Sequence, residues 1–246
     1  MQGPAEAPAR IREALHCESS NTWTEDGHDF AELVEDLGDV TFASSADPMQ
    51  AITNFVAGAL GRRLPLIGLG GDHSITYASL RAFVHSYQDL TILHFDAHPD
   101  LYDEFQGNRY SHACPFARIM EAGLVRRLVQ VGIRTINAHQ RQQATKFGVE
   151  TIEMKHWRGE LPNLERPIYV SFDLDVLDPA FAPGVSHHEP GGMTSREAIA
   201  AIQSIPAGVV GADVVELNPR RDPLGITAVC AAKIVKEITV KMIANG

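Results

Sequence analysis

Five short apolar runs, at residues 64–69, 90–95, Arg127–Ile133, 167–172 and 208–215, are too short for helices and too rich in Val, Ile and Leu for loops. Between and after them lie segments with helical character, 75–87, 115–122, 137–146, 195–202 and Ile226–Ile243, the last with apolar residues at helical spacing. This alternation leaves few options, because parallel strands need crossovers and the crossover helices cover both faces of the sheet. The expected fold is α/β, a three-layer α/β/α arrangement around a central, mostly parallel sheet, with all five strands internal and buried on both faces. Thr194 followed by Glu197 predicts a helix N-cap before Ser195. Segments 160–167 and 179–192 read as loops, and no Pro/Ser/Gly-rich linker or repeat divides the chain, so residues 1–246 read as one domain.

Composition narrows the partners. With 44% apolar and 21% charged residues, the chain has material for a substantial core, which excludes fibrous and disordered classes. A formal charge of −10, without a basic cluster, argues against nucleic acid and favours a cationic small molecule. Cys17, Cys114 and Cys230 are widely spaced and odd in number, which fits a reduced, cytoplasmic protein rather than a disulfide framework. No run of eighteen apolar residues predicts a membrane span, and residues 1–10 lack the apolar stretch of a signal peptide.

The chemistry concentrates where the apolar runs end. The run 90–95 leads into Asp96-Ala97-His98-Pro99-Asp100, the run 167–172 into Asp173-Leu174-Asp175, and the run 64–69 into Gly70-Gly71-Asp72-His73-Ser74. All three clusters are thereby expected at the C-terminal edge of the sheet, where open α/β sheets bind ligands. Extended chain has a side-chain period of two, so Asp96, His98 and Asp100 share a face, as do Asp173 and Asp175, and Pro99 favours extension at His98. Four converging aspartates repel one another, and burying them without cations costs several kcal/mol each. A dinuclear site removes that cost. Mostly oxygen ligands with two imidazoles favour Mn²⁺ over Zn²⁺, and two ions about 3.5–4 Å apart that share carboxylates lower the pKa of a water between them. The residues alone thus reach metal-assisted hydrolysis. Ser74 lies in no Gly-x-Ser-x-Gly elbow, and the glycines before it lack the lysine of a phosphate loop. Cys114 near His112 reads as a buried thiol, His187-His188 as ligands, a proton relay or neither, and Arg62-Arg63 and Arg220-Arg221 as surface or interface charges.

Taken together, these clusters resemble the ureohydrolase family of arginases, agmatinases and related amidinohydrolases. The matching segments are Gly70-Gly71-Asp72-His73-Ser74, Phe95-Asp96-Ala97-His98-Pro99-Asp100, the stretch from Ser171 to Pro179, and Val215-Glu216-Leu217-Asn218-Pro219, in order and over nearly the whole chain. The stretch from Glu189 to Glu197 looks more like the agmatinase branch. The resemblance implies an arginase-like fold and two Mn²⁺ per chain. One ion would be held by His73, Asp96, Asp100 and Asp173, the other by His98, Asp96, Asp173 and Asp175, with Asp96 and Asp173 bridging and so taking part in catalysis. It further implies attack on a guanidinium carbon with collapse to urea and an amine, proton relay by His112, guanidinium binding by Glu216 with Glu189 as a second nearby carboxylate, and a homo-oligomer, trimer or hexamer. Agmatine is the first substrate expected. Guanidinobutyrate, arginine, guanidine and formimidoylglutamate are the alternatives, with a mononuclear zinc deacetylase of related fold or a non-catalytic paralogue beyond them.

Three departures from the family pattern stand out. A strand and loop normally precede the segment that matches Gly3-Pro4 to Ile11-Arg12; either that first strand is lost, which would expose an edge or shorten the sheet, or the sequence starts late. Pro99 stands where threonine is usual, which removes a hydroxyl and a backbone donor beside the ligands. Ser111-His112-Ala113 lacks the glycine often found after the relay histidine.

Overall fold

The computed structural model describes residues 3–43 and 47–243; Met1 and Gln2, part of the stretch read above for a leader, lie outside it. Its strands are β1 (Leu66–Leu69), β2 (Thr91–Phe95), β3 (Arg127–Ile133), β4 (Glu150–Glu153), β5 (Ile168–Asp173) and β6 (Val209–Val215). Its helices are α1 (Ala7–Leu15), α2 (Phe30–Leu33), α3 (Pro48–Leu60), α4 (Ile75–Phe83), α5 (Pro115–Glu121), α6 (Ala138–Phe147), α7 (Ser195–Gln203) and α8 (Ile226–Ile243). The six strands form one sheet in the order β1-β6-β5-β2-β3-β4, and every pairing is parallel.

Side-chain alternation separates two cores. Leu93, Phe95, Val170 and Phe172 point to the face covered by α1, α7 and α8, whereas Ile92 and Tyr169 point to the face covered by α3, α4 and α5. Both faces of β2 and β5 are fully buried, which is why these strands read as mainly apolar runs, with His94 and Ser171 as buried polar interruptions. The N-cap at Thr194 is a complete capping box: its hydroxyl accepts the Glu197 N–H while the Glu197 carboxylate accepts the Thr194 N–H. Loops 160–167 and 179–192 carry no helix or ladder strand.

Two expectations fail at the margins. β1 is an edge strand, paired only with β6 and partly exposed at all four residues, although its Leu-Ile-Gly-Leu sequence reads as internal. The opposite edge, β4, was not anticipated, because Glu-Thr-Ile-Glu is short and polar, as suits a strand with one neighbour. The reading also placed no element before residue 64. α3 nonetheless carries clear start signals, with the Asp47 carboxylate accepting the Met49 N–H at 3.0 Å and Pro48 in the first turn. Among the described residues no helix is long and apolar enough to cross a membrane.

The strand order places the site. From β2 the chain moves outward through β3 and β4, then returns to the other side of β2 for β5 and β6. Strand order therefore reverses between β2 and β5, and a crevice opens there at the carboxyl ends. Register pairs Phe95 with Phe172, so the next residues, Asp96 and Asp173, emerge side by side at that point.

Candidate metal centre

His73 arrives from the turn after β1. That turn is tight: a Cβ on Gly70 would lie 2.6 Å from Val215 Cγ1, so glycine lets the chain pass against β6. Glu216 follows β6 with a left-handed backbone (φ 67°), and its carboxylate accepts the His73 N–H at 2.9 Å. Asp100 also has positive φ (49°); such strained non-glycine positions gather at functional sites.

The donor atoms form two groups. His73 Nδ1, completely buried and without an aligned hydrogen bond, lies 3.2 Å from one oxygen each of Asp96, Asp100 and Asp173. His98 Nδ1 lies 3.4 Å from the other oxygen of Asp96 and 3.0 Å from Asp175. Donors bonded to one cation at about 2.1 Å stand roughly 3.0–3.4 Å from each other, so the spacing is that of ligands around a shared ion. The donor set fits two divalent cations, with one oxygen of Asp96 turned to each. Clusters able to hold a metal are Asp96 with His98 and Asp175, and Asp96 with His73 and His94.

Electrostatics point the same way. Burial, with Asp96 close by, pushes Asp100 up to about 6, and Asp173 is raised well above the carboxylate range by burial and by Asp175 and Asp96. Burial pushes Glu216 up to about 8, helped by the charge of Asp72. Burial works against the protonated imidazoles of His73 and His98, yet the surrounding aspartates raise both pKa values. The site gathers more carboxylate charge than its burial favours, which protons take up here and which bound cations would balance in their place.

The remaining residues fall around a cleft bordered by Asp100, Asp173, Asp175, His112, His187 and Glu216. His112 stacks on His187 with ring centroids 5.4 Å apart, and His187 in turn meets His98 edge-on at 5.9 Å. Burial lowers the pKa of both His112 and His187. Glu189 reaches the rim, its Oε1 3.6 Å from His98 Nε2. His188 instead donates its Nε2–H to the Pro183 carbonyl at 2.7 Å within its loop. Ser74 hydrogen-bonds Asp72, and the Cys114 thiol, fully buried, is pushed up to about 11 by burial, which disfavours its thiolate.

Several site residues escaped the sequence reading. Ser171 donates to Asp213 at 2.7 Å and meets His73 Nε2 at 2.9 Å; Tyr169 and Thr76 also donate to buried Asp213. Since the Ser171 proton goes to the carboxylate, its oxygen accepts from His73 Nε2–H, which leaves the His73 Nδ1 lone pair facing the aspartates. Arg134 spans the carbonyls of Asp175, Val176 and Glu189, tying the loop after β5 to the rim.

A parallel α/β sheet with two facing His/Asp clusters at its switch point defines a protein built to hold metal ions. The Arginase family model matches residues 1–240. "Arginase 1, mitochondrial" of Arabidopsis thaliana is 47% identical over 98% of this chain and 77% of its own length. The solved arginase of Medicago truncatula superposes with a TM-score of 0.91 at 46% identity, over 98% of this chain and 82% of that one. An agmatinase of Bacillus anthracis is 34% identical over 94% of this chain and 83% of its own length. The chain belongs to the arginase family. Across the whole chain these arginases are more similar than this agmatinase, the reverse of the order suggested by Glu189–Glu197, a stretch of rim and helix start that weighs little against the full length.

Proposed function

We propose that this chain is a binuclear, manganese-dependent ureohydrolase that splits a guanidino compound, with arginine as first substrate, into urea and an amine. The observation that carries the reading is the buried His73 Nδ1 at 3.2 Å from three carboxylate oxygens, with Asp96 extending the set to His98 and Asp175. His73, Asp96, Asp100 and Asp173 would hold one ion, and His98, Asp96, Asp173 and Asp175 the other. Mostly oxygen donors favour Mn²⁺. When bound, two such ions supply a water of lowered pKa for hydrolysis.

The chain's own residues supply the rest. A guanidinium stays protonated, and the fork of N–H donors along its edge suits a carboxylate, so its approach favours ionised Glu216, the buried acid at the cleft. Glu189 adds a second carboxylate at the rim. As the carbon–nitrogen bond breaks, the water oxygen stays on carbon to become urea, and His112 passes a proton to the leaving amine. Burial keeps His112 neutral near pH 7, ready to accept that proton first. Arginine ranks before agmatine because the relatives with the higher identities quoted above are named arginases.

The test is product release from Mn²⁺-loaded protein offered arginine, agmatine, guanidinobutyrate, guanidine and formimidoylglutamate. Urea with ornithine from arginine supports the proposal. Urea from agmatine alone keeps the class and changes the substrate, and no product from any of them, with two ions bound, rejects it.

A further inference from the structure

Behind Asp96 lies a buried polar chain that the proposed reaction does not use. His94 sits on β2 two residues before Asp96 and is fully buried; its ring is stacked on Phe116 with centroids 3.9 Å apart. Its Nε2 is 2.8 Å from Asp96 Oδ2, and its Nδ1 is 3.1 Å from Gln130 Nε2. The same Gln130 nitrogen donates to the Pro99 carbonyl at 2.7 Å.

These contacts fix where the proton resides. A carbonyl only accepts, so the Gln130 group beside Pro99 is its NH₂, and the second hydrogen of that NH₂ meets His94 Nδ1. Nδ1 must then present its lone pair, and the ring proton must sit on Nε2, aimed at Asp96 Oδ2. The Gln130 amide oxygen faces the Thr151 hydroxyl at 3.5 Å, consistent with that orientation. Pro99, which lacks a backbone donor, still anchors the chain through its carbonyl.

Resting on the metal reading above, we propose that His94 is a positioning residue, not a metal ligand: through the tautomer set by Gln130 it holds Asp96 in the orientation that bridges both ions. A His94 ligand would need a bare Nε2, which the Gln130 contact opposes. Asp96 Oδ2, held by His94, is the oxygen beside His73, and Oδ1, which accepts the His98 N–H at 2.5 Å, is the one beside His98. Loss of the His94 donor frees the carboxylate to rotate and uncouples the two positions.

The test compares wild type, His94→Phe, which keeps the stack on Phe116 without a donor, and His94→Gln, whose amide can restore one. Folding is checked by circular dichroism. Mn²⁺ affinity is measured by titration, and pairing by the electron paramagnetic resonance signal of two exchange-coupled ions. We expect His94→Phe to bind the pair about 10–100-fold more weakly and lose the coupled signal, and His94→Gln to recover both. In ¹⁵N spectra of metal-free wild type, His94 should carry its proton on Nε2. A coupled pair in His94→Phe at wild-type affinity, a proton on Nδ1, or no recovery in a folded His94→Gln overturns the proposal. A wild type that binds no pair overturns the metal reading as well, and none of these measurements depends on which guanidino compound is the substrate.

Discussion

Removing metal should make this protein less stable as pH rises. Glu216 is pushed from 4.5 to about 8, chiefly by burial, so between these values the folded state binds more protons than the unfolded one and stability falls with pH. His73 and His98, raised above their ordinary 6.5, add loss of the same sign above that pH. His94, His112 and His187 are lowered and act oppositely, but their contribution halves at about pH 6.5 and is essentially complete by about pH 7.5. Between pH 6.5 and 8 the raised groups outweigh the lowered ones, and above about pH 7.5 all act in one direction. Glu216 alone accounts for about 2 kcal/mol there, at about 1.4 kcal/mol per pH unit, which lowers Tm by roughly 4–8 °C in a chain of this size. Calorimetry in chelator across pH 6.5, 7.2 and 8 measures it. The Mn²⁺-loaded protein should show a flat or rising Tm, because ligands bind deprotonated and affinity grows with pH. A chelated protein whose Tm stays level or rises over this window refutes the assignment of these groups to a buried site of excess negative charge.

Other consequences follow from the same geometry. Asp96→Ala or Asp173→Ala should abolish binding of both ions and reduce urea release to background, measured by metal analysis and product assay; retention of one tightly bound ion would show that the altered residue does not bridge. Glu216→Gln keeps an acceptor for the His73 N–H but loses the charge facing a guanidinium, so kcat/KM should fall at least about 30-fold with metal content unchanged. His112→Asn should lower kcat by about 100-fold or more with little change in KM and flatten the acidic limb of the pH profile. The homo-oligomer expected from the family is checked by light scattering, where a monomer mass counts against it.

The doubly buried centre of the sheet was legible in the sequence because burial on both faces forces mainly apolar runs, and the charged clusters that end β2 and β5 mark its carboxyl edge. The edges were not. β1 carries apolar residues although it has one neighbour, and β4 carries polar ones because it has one neighbour. The candidate ligand residues were readable from chemistry at strand ends, whereas His94, Gln130, Ser171 and Asp213 sit inside strands and are completely or almost completely buried. Their signal was present all the same: a polar residue interrupting an apolar strand must find a partner, and here the partners are the candidate ligands and one another. Which tautomer each imidazole adopts depends on contacts between residues as far apart as Gln130 and His94, which no local pattern reveals. His187 was named but left open, since only the fold stacks it between His112 and His98.

The most direct measurement is urea release from arginine as Mn²⁺ is added back to chelated protein in known equivalents. The account predicts no urea without metal and activity that climbs until two ions per chain are bound, then levels. Full turnover in the metal-free protein, or no urea with two ions in place, contradicts it.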